Sequence, residues 1–271
     1  DQGRVEWPVS RRASVKDVVE SLGPPHTEVH AIEVDGRPAG FGHVLLPGQE
    51  VRVRGAEPPL DLFRDSLLRP GLRPAPGSGT GGENPGDSPA PAFLVDENVA
   101  KLAMLLRLLG HDAAHDRAWD DSLIAETAQA QGRLVLSRDT ALLKRSRITH
   151  GRLVRSALPR DQLLEVMRLY GLSPRGAAFT RCLRCNTLLE PVDKAAVLDR
   201  LLPKTRKYYD EFHLCPGCGR IYWPGSHHAF MSAFVASQAA RIPASTSLPP
   251  ISIASGPFRS AVPLAATKPA P

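Results

Sequence analysis

The chain lacks any run of eighteen apolar residues, so the sequence predicts no membrane-spanning helix. It also lacks a signal-peptide pattern, and a cytoplasmic location is therefore the default expectation. The first residue is Asp1 rather than a methionine, which is compatible with a fragment or a processed form. Cysteine is scarce as well. All four cysteines lie between residues 182 and 218 with none left over, and their spacing favours metal binding over disulfides.

What the chain does contain is enough apolar surface for a core and an excess of positive charge. Hydrophobic residues make up 42% of its 271 residues, a length that fits one to three domains. The formal net charge is +6 and the isoelectric point is about 9.4. This balance mildly favours a polyanionic partner such as nucleic acid.

Composition divides the chain into five segments. Residues 70–91 contain twelve prolines or glycines among twenty-two positions, which predicts a flexible linker within a boundary segment. The carboxyl-terminal segment is rich in alanine, serine and proline with little charge, which predicts a disordered tail. The predicted segments are a small α/β unit (1–57), a Pro/Gly-rich linker (58–91), an α/β unit (92–175), a cysteine-containing unit (176–231) and the tail (232–271).

The first segment combines strand patterns with one capped helix. Ser14 is a plausible N-cap and Gly23 a plausible end for a helix between them. The stretches "SVKDVVESLGPPHTEV", "VDGRP" and "LLPGQEVRV" resemble a ubiquitin-like β-grasp fold of the ThiS/MoaD type, with its first strand missing or truncated. Sulfur carriers of that type end in a free Gly-Gly. The Gly81-Gly82 pair lies in the linker, so we favour a docking or accessory role over sulfur transfer.

Apolar runs alternate with amphipathic patterns through residues 92–175. Alternation of this kind predicts a parallel sheet with helices on its faces, an α/β fold. The predicted strands are 92–95, 111–116, 133–139 and 153–156, and the predicted helices are 99–110, 120–132, 140–147 and 158–172.

The stretch "FLVDEN", residues 93–98, raises a chemical question, because a buried strand runs directly into acidic residues. A carboxylate near a core is costly unless it is paired or holds a metal ion. A second apolar run, "RLVLSRD", likewise ends in Asp139. Ligands of parallel sheets bind at the carboxyl ends of the strands, so we expect Asp96 and Asp139 on one edge.

Asp121 is expected to join this edge, because the start of a helix in a β-α unit faces the same side. Three carboxylates suit a hard divalent cation such as Mg²⁺ or Mn²⁺, which can activate water for phosphodiester cleavage. Each aspartate alone has a simpler explanation. Asp121 and Asp139 both fit helix N-caps, whereas Asp96 is followed by Glu97 and Asn98, and a cap needs only one such side chain.

The order of motifs carries a family resemblance. "FLVDENVAKLAMLLRLLGHD", then "DDSLIAETAQAQGRLVLSRD", then two CxxC pairs resembles the PIN-like RNase family named for the C-terminal domain of the exonuclease Mut-seven. Members of that family often carry a ubiquitin-like domain in front, which agrees with the first segment. The resemblance implies a PIN-like fold and cleavage of single-stranded RNA with Mg²⁺ or Mn²⁺.

The resemblance also assigns roles to individual residues. It places Asp96, Asp121 and Asp139 at the acidic, metal-binding positions. Arg107 and Arg138 take basic positions that contact phosphate, with a surface charge or a structural ion pair as the alternative for each.

Some assignments stay open. Asp120 is a possible substitute for Asp121, and Asp112 is either a fourth acidic member or a turn residue. Glu97 is the less secure acidic assignment, because many family members have a small residue there.

The cysteine pairs predict a zinc ribbon. Cys182 and Cys185 form one CxxC knuckle and Cys215 and Cys218 form the second, which together present four thiolates to a tetrahedral ion. A zinc ion with four sulfur ligands has no open position, so it is expected to be structural. Between the knuckles, "PKTRKYYDEFH" (203–213) either contacts RNA or packs the ribbon.

The histidines offer weaker signals. His227 and His228 follow the second knuckle in "YWPGSHHAF", where a catalytic, metal-binding or purely structural role is open. His111 and His115 are four residues apart but lack the glutamate of a metalloprotease motif.

The combined prediction is a metal-dependent ribonuclease with a PIN-like α/β domain, a β-grasp domain in front and a zinc ribbon behind. Its expected partners are RNA and possible protein partners of the β-grasp domain, with no membrane. Two alternatives stay open: a non-catalytic RNA-binding protein, and a protein-interaction module of a toxin–antitoxin or sulfur-transfer type.

Overall fold

The described residues of the computed structural model form three units, each built on its own sheet. We call residues 4–55 the amino-terminal unit, 91–172 the central unit and 179–225 the ribbon unit. No helix among the described residues is long and apolar enough to cross a membrane. The structure describes residues 4–7, 12–73, 91–172, 179–225 and 251–254, together with positions 233 and 237.

In the amino-terminal unit one helix packs on a mainly antiparallel sheet. Its helix begins at a capping box, in which Ser14 and Asp17 satisfy each other's backbone N–H groups. Apolar residues of the helix and strands, among them Val18 and Ile32, form one core. The elements are β1 (Arg4–Glu6), α1 (Val15–Ser21), β2 (Val29–Val34), β3 (Arg37–Pro38) and β4 (Glu50–Gly55).

A strand from the far end of the chain completes this sheet. β12 (Ile251–Ala254) runs antiparallel to β4 and parallel to β1, in the sheet order β1-β12-β4-β2-β3. It occupies an interior position in the sheet, between β1 and β4. The prediction of a disordered tail over 232–271 therefore does not hold for these four residues. Composition does not mark these four residues, because the short stretch "ISIA", which has strand propensity, lies in a segment rich in alanine, serine and proline.

The central unit has the predicted parallel sheet with helices on both faces. The sheet order is β6-β5-β7-β8, and every pairing is parallel. This confirms the mixed α/β class. The elements are β5 (Phe93–Val95), α2 (Ala100–Leu108), β6 (Ala113–Ala114), α3 (Asp121–Gln131), β7 (Leu134–Ser137), α4 (Thr140–Leu143), β8 (Gly151–Leu153) and α5 (Pro159–Tyr170).

Both faces of this sheet are buried, which explains why its strands are apolar throughout. Phe93 and Val95 face one core with α2 and α5, whereas Leu94 faces a second core with α3 and α4. α3 ends where the sequence predicts, because Gly132 adopts the left-handed conformation (φ 58°) that terminates helices.

The predicted linker differs from the observed boundary. Leu62 and Leu72 are buried in the core of the central unit, and the N–H of Leu60 donates to the carbonyl of Leu169 at 2.7 Å. Residues 58–73 are therefore packed against the central unit. Their leucines are scattered among prolines, so no regular apolar pattern in the sequence marks them as buried. The most Gly-rich part, 74–90, lies outside the described residues.

The ribbon unit is a three-stranded antiparallel sheet in the order β11-β10-β9. A small apolar core of Val197, Leu201 and Phe212 lies beneath it. The elements are β9 (Glu190–Val192), α6 (Lys194–Val197), α7 (Pro203–Tyr208), β10 (Phe212–Leu214) and β11 (Ile221–Tyr222).

The amino-terminal and central units meet across polar contacts near β8. The Lys144 ammonium donates to the carbonyl of Glu20 at 2.6 Å, and a ring nitrogen of His26 lies 3.0 Å from the carbonyl oxygen of Ile148. Arg69, from the packed segment 58–73, donates to the carbonyls of Thr27 and His26 at 3.0 and 2.9 Å.

Two histidines at this contact are held neutral. Burial, with the charges of Arg69 and Arg152, lowers the pKa of His30 to about 3. Burial, with the charge of Arg69, lowers the pKa of His150 to about 4. Since an unperturbed histidine titrates near 6.5, the unfolded chain binds protons between pH about 6.5 and 4 that the folded chain excludes.

The free energy of unfolding should therefore fall as the pH is lowered from 6.5 towards 4. Each histidine contributes up to about 1.4 kcal/mol per pH unit in that window. Urea unfolding of the full chain at pH 7.5 and 5 measures this loss, which should shrink in His30→Gln and His150→Gln. The exposed His213→Gln is the control. An equal acid loss in all four proteins would contradict the assignment.

Candidate active site and metal centre

Asp96 and Asp139 lie at the carboxyl ends of the neighbouring strands β5 and β7, as the sequence predicts for their strands. Each also caps a helical segment. Asp96 Oδ1 accepts from the N–H of Glu97 at 2.7 Å. Asp139 Oδ1 accepts from the N–H of Ala141 at 2.7 Å, at the start of α4. Asp96 and Asp139 therefore both lie at the carboxyl edge of the sheet, and both also cap a helical segment.

Ser137 joins the two aspartates. Its hydroxyl donates to Asp96 Oδ2 at 2.6 Å and accepts from the N–H of Asp139 at 2.8 Å. Asn98 adds a second link, because its amide donates to Asp96 Oδ2 at 2.7 Å while its oxygen accepts from the N–H of Arg138 at 3.0 Å. The serine is fully buried, so this arrangement fixes the Asp96 carboxylate in the free protein.

The sequence reasoning missed Ser137 and left Asn98 without a role. The available signal was the hydroxyl that ends the apolar run "LVLS", at the position that a fourth apolar residue would otherwise fill. A buried hydroxyl needs a hydrogen-bond partner, and here the partners are the predicted acidic residues.

Asp121 lies apart from this pair. It is the first residue of α3, and its carboxylate lies 3.4 Å from the Arg145 guanidinium. Asp120, the alternative candidate, is the N-cap and accepts from the N–H of Leu123 at 2.8 Å. Among the described residues, no three carboxylates bring ligand oxygens within 4.8 Å of one another.

The donor set at this edge nevertheless fits a hard cation. Mg²⁺ in proteins usually takes one or two carboxylates and keeps several waters. Asp96 and Asp139 are partly exposed and supply that number, while Asp121 would have to leave Arg145 to take part. Carboxylate oxygens, the ligand type that Mg²⁺ and Mn²⁺ prefer, are thus present at this edge.

Around this edge the remaining polar groups form a mixed-charge rim. Arg138 is exposed, and its guanidinium donates to the carbonyl of Ser156 at 2.8 Å. Glu97 lies 3.3 Å from a ring nitrogen of His115 and 3.5 Å from the largely exposed Arg117 guanidinium. An arginine thus adjoins each of two acidic residues, since Arg117 contacts Glu97 and Arg138 directly precedes Asp139 in the chain.

Two other candidates lie elsewhere. Asp112 is buried at the amino end of β6, where its carboxylate pairs with Arg133 at 2.6 Å. Arg107 is 3% exposed, and its guanidinium donates to the carbonyls of Ala113, Leu183 and Arg184. Its contacts are those of a structural residue that ties the first knuckle to the sheet.

The four cysteines form a cluster that could hold a zinc ion. Their sulfur atoms all lie within 4.8 Å of one another, with 3.5 Å between Cys182 and Cys218 and 3.4 Å between Cys185 and Cys215. A tetrahedral ion with bonds of about 2.3 Å to sulfur needs sulfurs about 3.8 Å apart. The geometry therefore suits zinc.

Hydrogen bonds at the first knuckle favour the thiolate of Cys185. Burial raises the pKa of the Cys185 thiol, but hydrogen bonds from Thr187 outweigh it, and the pKa comes down to about 6. The Tyr222 hydroxyl lies 3.1 Å from Cys182 Sγ. A thiolate is the form that binds metal. His227 and His228 lie outside the described residues.

One tetrahedral metal ion per chain should bind at this cluster. Cobalt added to metal-free protein should give sulfur-to-cobalt charge-transfer bands and tetrahedral ligand-field bands that saturate at one equivalent. Cys215→Ser should lose the four-sulfur spectrum and expose the ribbon core, whereas Thr187→Ser, beside the cluster, should bind cobalt like the wild type. Octahedral spectra in the wild type would contradict the site.

Comparison with known families agrees with this architecture. The family model described as the Mut7-C RNAse domain matches residues 91–235, and the model described as Mut7-C ubiquitin matches residues 1–61. No curated protein and no solved structure matches the chain. The first model covers more than half of the chain, including the acidic edge and all four cysteines. The chain belongs to the Mut7-C RNAse domain family, with a ubiquitin-like domain at its amino end.

Proposed function

We propose that this protein is a metal-dependent ribonuclease of the PIN-like class that cleaves single-stranded RNA. The observation that carries the proposal is the pair of partly exposed carboxylates, Asp96 and Asp139, at the ligand-binding edge of a parallel sheet, where the buried Ser137 hydroxyl binds the Asp96 carboxylate and the backbone N–H of Asp139. The family gives the nuclease class, and the net charge of +6 suits a polyanionic substrate.

Asp96 and Asp139, with Asp121 as a third member, would hold Mg²⁺ or Mn²⁺. A divalent ion supplies an activated water and neutralises charge on the leaving oxygen during phosphodiester hydrolysis. Ser137 and Asn98 hold the Asp96 carboxylate in one orientation, so little reorganisation is needed. The guanidinium groups of Arg138 and Arg117 lie beside the acidic edge, where they would attract and orient the phosphates of the substrate.

Asp96→Asn and Asp139→Asn should each lower the cleavage rate of labelled single-stranded RNA on the order of 100-fold or more, because the charge that binds the cation is lost. Ser137→Ala should lower it less, because both carboxylates remain. The assay uses zinc-loaded protein with added Mn²⁺ or Mg²⁺.

Asp199→Asn, an exposed aspartate of the ribbon unit, is the matched control and should cleave like the wild type. Cleavage that survives in both the Asp96→Asn and Asp139→Asn proteins would place the activity elsewhere or in a contaminant. An EDTA arm followed by zinc alone separates the two metals, since zinc should restore the ribbon but not cleavage.

We further propose that the ion in the cysteine cluster is zinc and that it is structural. Four thiolates leave no position for substrate or water. Among the residues that the structure describes, the ribbon core has three buried apolar members, Val197, Leu201 and Phe212, so the ribbon depends on the metal for folding free energy. Arg107 then transmits that order to α2 and β6 through the knuckle carbonyls.

The ribbon unit also offers a surface for RNA. Tyr209 and Phe212 pack inward, which is the structural alternative for that segment, but Tyr208 is 65% exposed. The Lys207 ammonium lies 5.3 Å from the centre of the Tyr208 ring. α7 carries three cations and no acidic residue. An exposed ring beside cations is the arrangement on which a single-stranded base stacks.

Tyr208→Ala should weaken binding of a single-stranded oligonucleotide about tenfold, within the 1–3 kcal/mol typical of one stacked base. Tyr208→Phe should bind like the wild type, because the ring is kept. Fluorescence anisotropy in an Asp96→Asn background, at fixed salt, measures binding without cleavage. Leu202→Ala, a 72% exposed apolar residue just before α7, is the control. Equal affinities for the alanine variants and the wild type would contradict the surface.

A non-catalytic RNA-binding protein is the second candidate. The observation in its favour is that Asp121 is paired with Arg145, so three carboxylates do not converge on one point. Such a protein would bind RNA through the ribbon unit without cleavage and without dependence on Mg²⁺. A cytoplasmic location and a protein partner for the ubiquitin-like domain stay predictions.

A further inference from the structure

We propose that the amino-terminal unit is a positioning part of the nuclease site, acting through Glu28. The inference rests on the proposed function for its kinetic consequence, but its structural consequence can be measured without any cleavage. Its basis is a continuous series of hydrogen bonds that begins at Glu28 and ends at the Asp96 carboxylate.

Glu28 covers the edge of the central sheet. β8 is the outermost strand, and its exposed edge would otherwise leave backbone groups unpaired. Glu28 Oε1 accepts from the N–H of Leu153 at 2.9 Å, and Oε2 accepts from the Arg152 guanidinium at 2.9 Å. Arg155 adds a third contact at 2.8 Å. A side chain of the amino-terminal unit thereby satisfies a backbone N–H of this edge strand and pairs with two arginines beside it.

Arg152 passes the contact to α5. Its guanidinium also donates to Glu165 at 2.9 Å, so one arginine joins the carboxylates of two units. Burial raises the pKa of Glu165, but the backbone hydrogen bond from Ser156 and the charge of Arg152 outweigh it and hold the pKa below its ordinary value. The ionised carboxylate accepts from the N–H groups of Arg155 and Ser156, both at 3.0 Å, which orders the turn after β8.

That turn touches the rim of the acidic edge. The carbonyl of Ser156 accepts from the Arg138 guanidinium at 2.8 Å. The N–H of Arg138 donates to Asn98, whose amide donates to the Asp96 carboxylate. Arg138 also directly precedes Asp139 in the chain. A shift of the turn would therefore move the Arg138 guanidinium and the carboxylates of Asp96 and Asp139.

A second contact fixes the helix that Asp139 begins. α4 has only four residues, and Lys144 follows it directly. The Lys144 ammonium donates to the carbonyl of Glu20, and the Ile148 carbonyl contacts His26. The segment between Asp139 and β8 is thus held at two points by the amino-terminal unit.

These contacts are more than a flexible tether needs. The side chains of Glu28 and Arg152 are only 7% and 11% exposed, and burying an ion pair recovers little net stability. We therefore infer that this pair serves mainly to fix one arrangement of the parts it joins. The parts joined here are the turn that precedes β2 of the amino-terminal unit and the strand β8, and the turn after β8 contacts Arg138.

The test compares Glu28→Gln with Glu33→Gln in the full, zinc-loaded chain. Glu33 pairs with Arg54 within the amino-terminal unit and serves as the matched control. Hydrogen exchange followed by mass spectrometry reports on residues 138–156. The expected result is faster exchange there in Glu28→Gln alone, with Glu28→Asp, which keeps the charge, close to the wild type.

Cleavage kinetics supply the functional readout. Glu28→Gln should lower kcat on the order of tenfold, and raise the Mn²⁺ concentration needed for half-maximal rate, with a smaller change in KM. A merely stabilising role would lower the melting temperature and leave kcat unchanged at temperatures where the protein is folded, which would overturn the proposal. Unchanged exchange at 138–156 would also overturn it. A wild type that never cleaves RNA would refute the proposed function, while the exchange experiment would still decide whether the unit positions the edge.

Discussion

The hydrogen bond from the buried Ser137 hydroxyl to Asp96 is the interaction on which the proposed site depends. An apolar parallel strand that ends in a carboxylate needs something to hold that charge near the core, and the neighbouring strand supplies it. Because the same hydroxyl accepts from the N–H of Asp139, one buried side chain sets the relative position of two acidic residues. The Asp96 carboxylate is ordered by this bond and by Asn98, and the Asp139 carboxylate by the N–H of Ala141, before any cation or substrate binds. Such order is how polar sites reduce the cost of reorganisation.

The rest of the molecule holds this four-stranded sheet from two sides. At the amino end of β6, Arg107 and the Asp112–Arg133 pair join the sheet to the first cysteine knuckle, with Asn186 donating to Asp112 at 2.8 Å. At the opposite edge strand, Glu28 of the ubiquitin-like domain accepts from the N–H of Leu153 in β8 and pairs with Arg152. The two flanking units therefore contribute buried polar contacts to a small central sheet, whose strands are only two to four residues long.

Local patterns predicted most of the fold, whereas long-range polar contacts were beyond the sequence. The strand–helix alternation, the Gly132 helix end and the cysteine cluster follow from spacing and residue type. The sequence leaves Arg107 open between a phosphate contact and a structural role, because its carbonyl partners lie up to 77 residues away and no local pattern marks them. The burial of Leu62 and Leu72 is not predictable from their Pro-rich segment, and the strand β12 is not predictable from its Ala-rich one. At the site, Asp96 and Asp139 are marked in the sequence because each follows an apolar run. The bridging Ser137 has no such mark, since it resembles an ordinary strand residue. The pairing of Asp121 with Arg145 depends on a loop geometry that residue spacing does not determine.

The most direct test of the account is manganese binding to the zinc-loaded protein without RNA, followed by electron paramagnetic resonance. The account predicts that the wild type binds Mn²⁺ and that binding weakens strongly in both Asp96→Asn and Asp139→Asn, because these carboxylates are the ligands. Asp199→Asn should bind like the wild type. Mn²⁺ binding that is the same in all four proteins would contradict the central claim that this edge of the sheet holds the catalytic cation.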